Sequence, residues 1–135
     1  RPSIPVLDLL PHLRRLEKRP WHPDRLWRGR NGVVVSCDAE DWGHAARVAL
    51  PEQVARLKEP HLLMTITTRA GRMGVGLLGD PFAPPTLEQF VGPSRVPAEI
   101  TLELPHDASV QAQVRKTSDE PASALITRLV LCDRR

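Results

Sequence analysis

The sequence predicts an all-β fold: an antiparallel β-sandwich of about eight short strands with a short N-terminal helix. Three observations carry this. From Val33 onward apolar residues recur with a period of two, the mark of half-buried strands. Turn-forming Gly, Pro, Asn and Asp break the alternating runs at short intervals, as in a sandwich or barrel. Strand patterns do not alternate with helical ones, which disfavours a parallel α/β sheet.

Taken in order, Leu9, Leu10, Leu13 and Leu16 recur at helical spacing between Asp8 and Lys18. Asp8 suits the N-cap, and Pro11 falls within the first turn, where it is tolerated. Pro20 and Pro23 forbid continuation. Residues 20–32 read as an irregular, Trp-containing connection ending in a turn at Asn31-Gly32. A helical leader and this Pro/Trp-rich connection therefore occupy residues 1–30, and the sandwich occupies 31–135.

Within the sandwich, Val33, Val35 and Cys37 alternate with Val34, Ser36 and Asp38, and Ala46, Val48 and Leu50 alternate with Ala45, Arg47 and Ala49. A helical turn over Pro51–Lys58 buries Val54 and Leu57, with Pro51 at its first position. Leu62, Met64 and Ile66 form one face of the next strand; Met73, Val75 and Leu77 form one face of its successor, with a hairpin turn at Ala70-Gly71. A Pro-rich loop over Gly79–Pro85 precedes a weak strand, Thr86–Val91. Ile100, Leu102 and Leu104 oppose Glu99, Thr101 and Glu103; Val110, Ala112 and Val114 oppose Gln111, Gln113 and Arg115. The last segment, Ala124–Cys132, is apolar on both sides and fits a central strand.

A chain of 135 residues suits one domain with a core of its own. The net charge is only +3, and outside Arg25, Arg28 and Arg30 the arginines are scattered. Nucleic-acid binding usually shows a basic stripe with aromatic platforms; neither is present. Cys37 and Cys132 have no metal-ligand spacing and read as two reduced, buried thiols, with a bridge open if their strands are neighbours. No run approaches the roughly 18 apolar residues of a membrane span, and no signal-peptide pattern appears, so the expected location is cytoplasmic. The start at Arg1 suggests a segment of a longer protein.

Two motifs point to a family. Asp41-Trp42-Gly43-His44-Ala45-Ala46 follows the first sandwich strand, and Arg69-Ala70-Gly71-Arg72-Met73-Gly74-Val75-Gly76-Leu77-Leu78 lies further on. The second precedes Ile100-Thr101-Leu102-Glu103-Leu104-Pro105, then Val114-Arg115-Lys116-Thr117, then an apolar closing strand. In this order residues 31–133 resemble the accessory domain found beside bacterial FkbM-type methyltransferases and some glycosyltransferases. His44 stands where that pattern has an aromatic, and Lys116 where it has Asn. The resemblance implies a jelly-roll-like sandwich similar in fold to carbohydrate-binding modules.

The candidate ligand-binding residues are Trp42, His44, Arg69, Arg72 and Arg115. Trp42 and His44 suit a sugar-stacking platform; equally, Trp42 can cover one end of the core with His44 partly exposed. The Arg forks suit carboxylates, phosphates or sulfated sugars, and Arg72 and Arg115 make an anion site if their strands are near. The alternative is solvated Arg on a sheet face. Gly74 and Gly76 leave either a shallow groove or room for a bulky neighbour. Asp38, Glu40 and Asp41 form an acidic turn, of the oxygen-rich kind that binds calcium in some sandwiches. His12, His22, His44, His61 and His106 share no metal-ligand spacing, and there is no nucleophile motif. No cofactor or metal is expected.

These readings converge on a non-catalytic accessory domain of a larger bacterial transferase-type protein, binding glycan or a small anionic ligand beside a neighbouring transferase domain or subunit. The alternative is a structural interaction or oligomerisation module, in which Leu9, Leu13 and Leu16 pack on a partner.

Overall fold

A computed structural model describes residues 2–14, 26–38, 44–79, 86–107 and 109–134, with the backbone alone at 44, 45 and 86. Among the described residues ten strands form two antiparallel sheets: β1 (Ser3–Asp8), β2 (Leu26–Gly29), β3 (Gly32–Cys37), β4 (His44–Ala49), β5 (His61–Ala70), β6 (Met73–Leu78), β7 (Thr86–Val91), β8 (Ala98–Glu103), β9 (Gln111–Lys116) and β10 (Ala122–Arg134). The first sheet runs β2-β3-β10-β5-β8 with β1 also on β10; the second runs β4-β9-β6-β7.

The period-two patterns place the core between the sheets. Val33, Val35, Leu62, Met64, Ile66, Ile100 and Leu102 from the first sheet meet Ala46, Val48, Met73, Val75, Leu77, Ala112 and Val114 from the second. Strand β10 is central, pairing with β5 along one side and with β3 and then β1 along the other. A register shift between Ile126 and Arg128 lets β10 bury both Ile126 and Leu129 while Thr127 and Arg128 face solvent. An extra residue in one strand is what makes this double inward step possible.

The N-terminal helix is not formed in the described residues. Over Asp8–Arg14 the chain makes β1 and then a 3-10 turn at Leu10–His12. The Leu9 amide donates to the Leu129 carbonyl (2.8 Å), so the backbone is engaged by the sheet rather than by a helix. The turn points Leu9 and Leu13 into the core, both at most 2% exposed. The leucine spacing thus reports burial against this chain's own sandwich rather than a stripe held for a partner. Residues 15–18 of the expected helix lie outside the described residues.

One further expectation is corrected. Ala70-Gly71 is not a paired hairpin: β5 and β6 belong to different sheets, because the apolar faces of both look into one core, and Gly71 (φ +65°) carries the chain across. Pro51–Lys58 contains a 3-10 turn, Glu52–Arg56, which buries Val54. Cys37 and Cys132 are buried and not bridged by a disulfide. Their strands are neighbours, but Cys37 pairs with Ala122 while Cys132 pairs with His61 and Pro5. Ten residues of strand separate the two positions, about 33 Å, far beyond disulfide reach.

Buried polar side chains tie loops to this frame. The Asp133 carboxylate, 1% exposed, accepts hydrogen bonds from the amides of Glu59 (2.8 Å) and Lys58 (3.3 Å). His61 meets the Glu59 carbonyl through Nδ1 (3.0 Å) and the Ser3 hydroxyl through Nε2 (2.8 Å). Asp133→Ala strips the amides of Lys58 and Glu59 of their buried acceptor, and we expect a loss of about 2 kcal/mol in unfolding free energy, measured by urea titration. A change below about 0.5 kcal/mol would show that water replaces the carboxylate at no cost.

Candidate functional site

Cross-strand pairing in the second sheet sets the outward residues on one face, with register shifts in β4 and β7. Register places Gly74 between Phe90 on β7 and Arg115 on β9, Gly76 opposite Gln113, and Leu78 opposite Gln111; β4 adds Arg47 opposite Gln113 and Ala49 opposite Gln111. Gly74, Gly76, Leu78 and Gln113 are buried, whereas Arg47, Gln111 and Arg115 are half-buried and Phe90 is 55% exposed.

The most organised feature is an ion pair spanning β6. Glu88 of β7 reaches over Gly74 to Arg115, with Nε–Oε2 and Nη2–Oε1 both 2.6 Å. Glycine makes this route open: a Cβ at position 74 would stand 2.5 Å from Glu88 Oε2 and 2.9 Å from Thr117 Cγ2. The side chain of Glu88 is 9% exposed and that of Arg115 33%, so the bidentate fork is held in a partly dry setting. Its hydrogen bonds to Glu88 raise the Arg115 pKa above the ordinary guanidinium value, against the opposing pull of burial.

The backbone of β7 helps aim Glu88. Leu87 adopts φ +54°, uncommon for a residue with a branched side chain, at a register shift between the Val75–Gln89 and Leu77–Thr86 pairs. Beyond it, Gln89 turns toward the first sheet and donates to the Thr101 carbonyl (2.9 Å), which leaves Glu88 and Phe90 on the outer face. Arg72 lies 5.0 Å over the Phe90 ring and donates to the hydroxyl (3.1 Å) and carbonyl (2.9 Å) of Thr117. One end of the face therefore presents an aromatic ring, two fixed guanidiniums and a carboxylate. The guanidinium edges left over donate, the Glu88 oxygens accept, and the ring offers an apolar surface, which together match the vicinal hydroxyls and C–H face of a sugar.

The sequence-derived candidates divide as follows. Arg72 and Arg115 share this face, but each guanidinium is engaged, Arg115 by Glu88 and Arg72 by Thr117 and Phe90. They do not form a bare dicationic anion site. Backbone pairing sets His44 opposite Arg115; its side chain and all of Trp42 lie outside the described residues. Arg69 is exposed near the end of β5, in the other sheet. Glu40 and Asp41 lie outside the described residues, among which no group of three or more His, Cys, Asp or Glu is placed to hold a metal ion. Glu88, Phe90 and Gln113 were not singled out by sequence; the signal was the alternation of Glu88 and Phe90 within the short Thr86–Val91 run. Among the described residues no helix is long and apolar enough to cross a membrane.

No family model matches the chain, and no curated protein matches it. Among solved structures, a family 29 carbohydrate-binding module from Piromyces equi is similar, with a TM-score of 0.59 and 11% identity, covering 98% of this chain and 86% of that one. At that identity the likeness shows the fold alone: an all-β sandwich of two antiparallel sheets.

Proposed function

We propose that this chain is a non-catalytic glycan-binding domain whose ligand lies on the outer face of the β4-β9-β6-β7 sheet, against Phe90, Arg72 and the Glu88–Arg115 pair. The carrying observation is that pair, built across a glycine beside an exposed aromatic ring. The exposed ring of Phe90 beside the pair gives the crossing an apolar surface next to its charged groups. The sandwich it shares with a carbohydrate-binding module supports the reading.

The residues of the face argue against catalysis. The four strands carry a single carboxylate, Glu88, and no Cys, Ser or Asp. Glycoside hydrolysis generally takes a pair of carboxyl groups flanking the bond, and the residues of these four strands offer Glu88 no second carboxyl. In its finer form the proposal makes this an accessory domain of a larger bacterial transferase-type protein in the cytoplasm, holding a glycan near a neighbouring transferase domain. Leu9 and Leu13, which an oligomerisation role would present to a partner, are already inside the core.

A glycan array followed by isothermal titration calorimetry tests this. The expected result is one or more oligosaccharides with Kd at or below the millimolar range. Absence of binding to every glycan at millimolar concentration would overturn it.

A further inference from the structure

A second recess lies at the other end of this face. It is a cleft of about 450 Å³ between the Leu10–His12 turn and the end of β4 and β9, walled by Leu7, Leu50 and Pro51 and edged by His12, Arg14, Arg47 and Gln111. Its volume is in the range of small-molecule sites. Across it, Arg14 and Arg47 form a reciprocal backbone pair: the Arg14 amide donates to the Arg47 carbonyl (2.9 Å), and the Arg47 amide to the Arg14 carbonyl (2.7 Å). In an antiparallel pair of this kind the two side chains project to the same face from Cα atoms roughly 5.5 Å apart.

Like charges directly opposite one another are destabilising, and no described carboxylate relieves these. Among the described residues neither guanidinium meets a carboxylate; the Arg47 Nη1 has only a long hydrogen bond to Gln111 Oε1 (3.4 Å). The neighbouring Asp8 is turned away, its carboxylate capping the Leu10 amide (3.1 Å). Nor is the arrangement a loose arm. Arg28 of β2 donates to the carbonyls of Leu10 (3.0 Å) and Leu13, and the Leu9 amide is tied to Leu129. The fold thus fixes two arginines as backbone neighbours at the edge of an apolar recess, with no described carboxylate against either guanidinium.

We infer that this cleft binds the carboxylate of an acidic sugar residue, with Arg14 and Arg47 as its fork and the Leu7, Leu50 and Pro51 wall against the ring. Two Arg forks suit a planar carboxylate. The apolar wall and Gln111 suit the remainder of a pyranose better than a bare inorganic anion. Gln111, Gln113 and Arg115 project to the same face of β9, with about 13 Å between its ends, so a glycan on that face leads into the cleft. The inference rests on the glycan reading for its ligand class and adds the charge that the ligand carries.

The test is a nuclear magnetic resonance titration of the isotopically labelled chain with D-glucuronate, D-glucose, acetate and inorganic phosphate, in the native protein and in Arg14→Gln. The expected result is that glucuronate shifts the amides of Arg14, Arg47 and Gln111 at least tenfold more tightly than glucose or either simple anion. Arg14→Gln should remove that preference while keeping the native spectrum elsewhere. Equal binding of glucuronate and glucose, or an unchanged preference in Arg14→Gln, overturns the inference and leaves the glycan face standing. Acetate or phosphate binding as tightly as glucuronate overturns the sugar assignment. If neither sugar moves any amide, and the array is also blank, both readings fall.

Discussion

Gly32→Ala is expected to destabilise the fold by about 3 kcal/mol, enough to lower the melting temperature by roughly 10 °C. Gly32 opens β3 with φ +131°, a backbone state that L side chains rarely adopt. A Cβ there would run into the Ile126 carbonyl oxygen and stand 3.0 Å from both the Ile126 carbonyl carbon and the Thr127 Cα. All three atoms are backbone of β10, the strand to which most of the first sheet is attached, so none can step aside cheaply. The change should also tilt the β2–β3 pair off β10, where Ile126 pairs with Val33. Gly29, its partner across the turn, is the control. A Cβ at Gly29 meets nothing within 4 Å, and Gly29→Ala should change stability by no more than about 0.5 kcal/mol. Urea unfolding of the two variants measures the contrast. Equal midpoints would mean that the turn reshapes freely and that β10 is less rigid than its central place implies.

The strands that sequence made legible are those whose two faces see different surroundings. From β3 to β9 one face meets the core and the other solvent or a polar face, so alternation survives in the residues. Strand β10 was legible for a different reason: it is paired along both edges, and its long apolar run, broken at Thr127-Arg128, reflects that central place. The two strands that escaped detection lack both signals. In β1 Pro5 interrupts the pattern, which is tolerable because β1 pairs with β10 along one side only. In β2 four residues end at a glycine, and Trp27 points outward, 51% exposed. The helix expected over Asp8–Lys18 came from leucine spacing that a 3-10 turn satisfies equally well, since what Leu9 and Leu13 share is a buried side and not a helical backbone. The site was half legible. Arg72 and Arg115 stood out as forks, but their partners lie on β7, and only the fold brings Glu88 across Gly74. The glycines themselves were readable as a place of close approach; what approaches them was not.

The second large effect separates binding from stability at that crossing. Arg115→Ala leaves Glu88 almost buried with no counter-charge, so it should cost about 2 kcal/mol of stability and at least tenfold in glycan affinity, because the guanidinium donors are lost and Glu88 is no longer held in position. By itself that result would not distinguish a ligand contact from a damaged sheet. Gly74→Ala does. Its Cβ would collide with Glu88 Oε2 (2.5 Å) and Cδ (2.8 Å), the far end of a flexible side chain that can swing outward. The fold should therefore lose less than about 1 kcal/mol, while the ion pair is pushed out of register over the sheet. If the pair receives the sugar, Gly74→Ala loses nearly as much affinity as Arg115→Ala at a fraction of the stability cost. Calorimetric titration with the best glycan from the array, beside urea unfolding of the same samples, gives both quantities. Full affinity in Gly74→Ala would assign the Glu88–Arg115 pair to the architecture of the sheet alone and move the search for the ligand to the exposed ring of Phe90.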